Sequence, residues 1–90
     1  MGPPLDRPPR PRISPYAWLR WEDYDHPFLL TDVVDAMLAL PPDAREERYL
    51  LRPPGVHHLL VGTVFGRRFL LTGAKDAEGR WIEVLHVRAT

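Results

Sequence analysis

Proline placement constrains this chain more than any other feature. Six of its eleven prolines fall within residues 1–15, and the rest come as Pro27, the pair Pro41-Pro42 and the pair Pro53-Pro54. Each proline fixes φ and removes a backbone donor, so no helix or central strand runs through these points. They cut the sequence into a leader, a short aromatic stretch, one helical window and a strand-rich remainder. The leader has almost no large apolar side chain besides Leu5 and Ile13, which predicts an extended, disordered tail over residues 1–15 and a single domain over residues 16–90.

Residues 16–21 (Tyr-Ala-Trp-Leu-Arg-Trp) have the aromatic content of a strand and read as an edge strand, ended by Glu22, Asp23, Asp25 and His26-Pro27. Between Thr31 and Leu40, the residues Val33, Val34, Met37, Leu38 and Leu40 recur at helical spacing. Thr31 is placed to cap that helix, Asp32 and Asp35 suit its positive end, and Pro41-Pro42 stops it. Four strand-like runs follow: residues 48–52, 56–65, 68–72 and 80–88. Gly66-Arg67 reads as a two-residue hairpin turn, and residues 75–79 as a looser reversal. The predicted fold is α+β, with one amphipathic helix on an antiparallel meander of four to five strands. In the last run, strict alternation puts Trp81, Glu83, Leu85 and Val87 on one face and Ile82, Val84, His86 and Arg88 on the other. Both faces then carry apolar residues, which points to a homodimer or a bound partner.

A chain of 90 residues without cysteine has neither disulfides nor thiolate metal sites to support a thin core, so packing must hold it. No apolar run approaches the roughly 20 residues that span a bilayer, and no secretory pattern opens the chain, so no membrane association is expected and the expected location is cytoplasmic. The formal charge is zero, but residues 16–44 hold one arginine against six acids, whereas residues 45–90 hold eight bases against five acids. The strand half is therefore the basic half. Nearly all of that charge is arginine, and Asn and Gln are absent, as the compositional bias of a GC-rich genome would give.

No phosphate-cradling glycine loop, zinc signature or serine elbow occurs. His57-His58 are strand neighbours that point to opposite faces, so they do not chelate one metal ion, and no cofactor is expected. Glu46 and Glu47 read as the solvated start of a strand. Arg67 and Arg68 at a hairpin tip suit bidentate contact with phosphate, although turn arginines are commonly inert.

Trp21-Glu22, then His26 ahead of a helix near Asp32-Val33, then Val61-Gly62-Thr63 leading to Gly66-Arg67, and a closing run from Val84 to Thr90 resemble the BrnT-like and related RelE-superfamily toxins of bacterial type II toxin-antitoxin modules. The resemblance covers roughly residues 18–90. It implies a messenger-RNA endoribonuclease that works without metal, alone or on the ribosome, and is neutralised by a cognate antitoxin. Under that reading Arg67 and Arg88 clamp the phosphate, and His26 or His86 carries the proton. The structural alternatives are that His26 braces the helix start, His86 lies on a strand surface and Arg88 pairs with Asp35. A different class of function is a non-catalytic interaction or dimerisation module. A third is RNA binding without cleavage, for which Trp18, Trp21 and Trp81 would have to stack on bases rather than pack in the core.

Overall fold

The computed structural model describes residues 10–23 and 27–90. Strand β1 (Arg12–Ile13) is followed by helices α1 (Pro15–Trp21) and α2 (Leu30–Leu38). A single 3-10 turn (Pro42–Ala44) then leads into strands β2 (Arg45–Arg52), β3 (Gly55–Val64), β4 (Arg67–Lys75) and β5 (Trp81–Ala89). They form one sheet in the order β1-β5-β4-β3-β2, antiparallel except where β1 runs parallel to β5.

The expected edge strand at residues 16–21 is instead helix α1. The deciding residues lie just before the aromatics. Ser14 is extended (φ −66°, ψ 152°), its hydroxyl accepts a bond from the Ala17 amide at 3.1 Å, and Pro15 supplies a preset φ at the first helical position. Among the described residues two helices, rather than one, therefore serve the sheet. The tail boundary also moves. Pro11 is buried, Ile13 pairs with Val84, the Ser14 amide donates to the Val84 carbonyl at 2.9 Å, and Arg10 grips both Asp35 oxygens at 2.9 and 2.7 Å. Residues 10–15 belong to the folded domain, because prolines preset the extended backbone that an edge strand uses. Of the expected tail, residues 1–9 lie outside the described residues.

Helix α2 begins one residue before Thr31. Leu29 occupies the cap position with no side-chain bond to the helix, Asp32 does lie in the first turn, and Asp35 sits beyond it, held by Arg10. Leu30, Val33, Val34 and Met37 are fully or almost fully buried against Leu60, Phe69, Leu71, Val84 and Val87 of the sheet, with Ala17 and Trp21 of α1 closing the side. Burying each large aliphatic side chain contributes about 1.5–3 kcal/mol. The Trp21 ring lies 5.9 Å from Phe69, and its Nε1 donates to the Phe28 carbonyl at 3.1 Å, which ties α1 to the segment that starts α2.

The β3–β4 turn differs by one residue from expectation. Val64 pairs with Arg67, so the turn residues are Phe65 (φ 52°) and Gly66 (φ 74°). Positive φ at both central positions is the hairpin geometry that matches strand twist, and it wants glycine second here, with Phe65 tolerating the left-handed region. Arg67 is consequently a strand residue. At the next reversal, Asp76 Oδ1 accepts the amides of Glu78 (3.0 Å) and Arg80 (2.9 Å), with Gly79 at φ 83°.

Candidate functional site

Cross-strand partners share a face, so the register sorts the sheet. Leu60, Leu71 and Val87 face the helices. The opposite face is built from Glu46, Arg48 and Leu50 of β2, His57, Leu59, Val61 and Thr63 of β3, Arg68, Leu70 and Thr72 of β4, and His86 and Arg88 of β5. At its β5 side it meets helix α1, through Tyr16. Its centre, Leu59, Val61 and Leu70, is half-buried by neighbouring side chains, and arginines stand around it.

Strict alternation fails in β5. Thr72 pairs with His86 but Gly73 pairs with Val84, so Leu85 is an extra residue, a bulge. Val84 and Val87 thus both reach the core, which a strand without a bulge would forbid. The bulge is fastened by Ser14, whose hydroxyl donates to the Leu85 carbonyl at 3.1 Å while accepting from Ala17. One buried serine therefore fixes α1 against β5. It also delivers Tyr16, the second residue of α1, to His86, with ring centroids 5.6 Å apart and planes tilted by 52°.

His86 is half-buried in this setting. Burial pushes its pKa down from the ordinary 6.5, and the positive charges of Arg88 and Arg20 push in the same direction. The imidazole is therefore neutral near pH 7 and able to accept a proton, with two guanidinium groups close enough to act on it.

His86 and Arg88 are thus brought together on the open face. Arg67 is not, because it pairs with Val64 on the helix-side register and lies one residue, hence one face, away from Arg68. The expectation that Arg67 and Arg88 form one clamp fails on strand parity. Arg68 takes that place: it precedes Leu70, the partner of Arg88, by two residues, and reaches Glu46 at 4.0 Å. His26 lies outside the described residues. Asp35 pairs with Arg10, so it is not the fixed partner of Arg88 that the sequence suggested.

No protein-family model, curated protein or solved structure matches the chain.

A second polar cluster lies on the helix-side register at the far end of the sheet. The Lys75 ammonium donates to Glu47 at 2.6 Å and stands 5.1 Å from the Trp81 ring centroid, while Arg45 contacts Glu47 at 3.0 Å. The hydrogen bond from Lys75, ahead of an opposing effect of burial, holds the Glu47 carboxyl below its ordinary range. Glu47 is therefore part of a cross-strand ion network rather than a solvated strand start. His57 and His58 do point to opposite faces: His57 pairs with Leu50, and His58 pairs with Tyr49 and meets the Trp81 ring edge-on at 6.1 Å. Trp21 is core, Trp81 is half-buried over Gly73, and Trp18 is 45% exposed, so the three tryptophans form no common stacking surface.

Proposed function

We propose that this domain is an RNA-cleaving toxin, a metal-independent endoribonuclease whose working surface is the open sheet face. The observation that carries the reading is His86, whose ring lies against Tyr16 and is kept neutral by burial and by the positive charges of Arg88 and Arg20. Cleavage of this kind needs a base for the ribose 2′-hydroxyl and cations for the developing phosphorane charge. The His86 ring takes the 2′-hydroxyl proton, the 2′-oxygen attacks the adjacent phosphorus, and the bond to the 5′-oxygen breaks as that oxygen takes a proton from water, to which the ring then gives up its own. The products are a 2′,3′-cyclic phosphate and a 5′-hydroxyl. Arg88, assisted by Arg68, stabilises the charge on the phosphoryl oxygens. The apolar centre of the face offers a floor for bases, and a cognate antitoxin would silence the enzyme by covering this same face.

The test is incubation of purified protein with a mixed-sequence RNA in excess EDTA, beside His86→Ala and Arg88→Ala variants. Fragments ending in cyclic phosphate that disappear with either variant support the reading. Intact RNA, or equal cleavage by all three proteins, refutes it.

A non-catalytic interaction module is the second reading, favoured by the outer hairpin of β2 and β3. Tyr49 (65%), Leu50 (45%) and Leu51 (71%) are exposed there, on the strand at the opposite side of the sheet from β5. Growth arrest with transcript cleavage on induction of the protein alone separates the two. No helix among the described residues is long and apolar enough to cross a membrane, which suits either one.

A further inference from the structure

Strand β2 is an outer strand of the sheet, and among the described residues nothing pairs with its outer side. An edge strand of this length normally carries charge along all of it, a proline or a bulge to prevent pairing. Here four of the five charges gather in the first half, Arg45, Glu46, Glu47 and Arg48, and the second half presents Tyr49, Leu50 and Leu51 to solvent before ending at Arg52. Pairing between β2 and β3 is regular along its whole length.

A second copy joining through a two-fold axis must run antiparallel and keep each side chain on its own face, so the centre of pairing falls on a residue. The sequence of β2 then selects among the centres. Centring on Arg45, Glu46, Glu47 or Arg48 sets a charge against its own copy, and centring on Leu50 sets Arg48 against Arg52. Centring on Leu51 puts Tyr49 against Pro53, which cannot donate. Centring on Tyr49 opposes no like charges: Glu46 faces the partner's Arg52 at both ends, Arg48 faces Leu50, Glu47 faces Leu51, and the two Tyr49 rings meet. Arg52 makes no ion pair among the described residues, and Glu46, with Arg48 and Arg68 beside it, stands on the same face as Arg52.

We propose that the chain self-associates along β2 in this register, joining two five-stranded sheets into one. The charge pattern selects the register, and the apolar half of the strand, with Val56 beside it, supplies the area. This inference does not depend on the RNA-cleaving reading, because His86, Arg88 and Arg68 make none of the proposed cross-strand pairs.

The absence of cysteine makes the register readable. In a Tyr49-centred pair the two Tyr49 Cα atoms lie about 4.5–5.5 Å apart, within disulfide reach, whereas two copies of Leu51 lie four residues apart along the strands, about 13 Å, beyond it. The experiment measures sedimentation velocity over a concentration series for wild type and Tyr49→Lys, and air oxidation of Tyr49→Cys and Leu51→Cys on non-reducing gels. Expected are a concentration-dependent dimer in wild type, self-association weakened about ten-fold or more by Tyr49→Lys, and a crosslinked dimer from Tyr49→Cys alone. Tyr49 is largely exposed, so Tyr49→Lys should melt as wild type does. A wild type that stays monomeric throughout, a dimer indifferent to Tyr49→Lys, or equal crosslinking from both cysteines overturns the proposal.

Discussion

Replacing Ser14 by alanine should loosen the fold and the candidate site together. The Ser14 hydroxyl caps α1 through Ala17 and donates to the Leu85 carbonyl in the β5 bulge. Loss of an N-cap costs about 1 kcal/mol. Leaving a part-buried carbonyl without its donor costs about 1 kcal/mol more. In a domain of this size about 2 kcal/mol lowers the melting temperature by roughly 10 °C, which circular dichroism reads directly. Because α1 carries Tyr16 and Arg20 to His86, the His86 pKa should rise toward its ordinary value in the same variant, followed by NMR titration of the ring. Ser14→Asp separates the two bonds, since a carboxylate still accepts from Ala17 but has no proton for Leu85, and it should fall between the two. A Ser14→Ala protein that melts within about 2 °C of wild type, with the His86 titration unmoved, would refute the claim that this serine couples α1 to β5.

Three further outcomes follow from the same contacts. His86 has a lowered pKa when folded, so as pH falls below 6.5 the unfolded chain binds the proton first. Stability therefore declines below that pH and levels off once the folded ring is also charged; His86→Phe should remove this part of the pH dependence in denaturant titrations. The Glu47 carboxyl has a lowered pKa, so its contribution is present above its ordinary 4.5 and is lost as pH falls through the lowered value. Lys75→Met should flatten that acid limb and cost about 1 kcal/mol or less at neutral pH, the pair being partly exposed. A methyl group on Gly73 would collide with the Glu83 carbonyl and crowd the Trp81 ring, whereas one on Gly62 meets chiefly the flexible end of Leu40. Thermal melts should place Gly73→Ala about 3 kcal/mol below wild type and Gly62→Ala about 1 kcal/mol below.

The strands were legible because their signals are local. Valine and leucine runs between Pro53-Pro54, Gly66 and Gly79 left few places for the chain to reverse, and β2 to β5 fall within a few residues of the expected spans. Helix α1 was not legible from composition, since Tyr16, Trp18 and Trp21 are strand-forming residues and only three features decide otherwise: the Ser14 cap, Pro15 at the first position, and the burial of Ala17 and Trp21 four residues apart on one side. The order within residues 10–15 was hidden for a related reason. Proline-rich sequence reads as extended in either case, and what distinguishes a tail from an edge strand is Val84 and Asp35, both some distance along the chain.

The candidate site shows how far parity carries and where it stops. His86 and Arg88, two apart on one strand, share a face in any extended arrangement, and the bulge lies just before them, so that pairing survives folding. Arg67 reads as a turn residue from its position beside Gly66. Shifting the turn by one residue, from Gly66-Arg67 to Phe65-Gly66, turns Arg67 from a loop residue into a strand residue on the helix-side register, and the sequence contains both turn options side by side. Arg68 then becomes the residue that accompanies Arg88, by the same shift. Tyr16 and Arg20 reach His86 only because α1 is a helix laid along β5, so no reading of residues 16–21 as a strand could have placed them there. Ser14 joins the start of α1 to the bulge in β5. It starts the helix, holds the bulge that corrects the phase of β5, and thereby aligns side chains drawn from the two ends of the chain around one neutral imidazole.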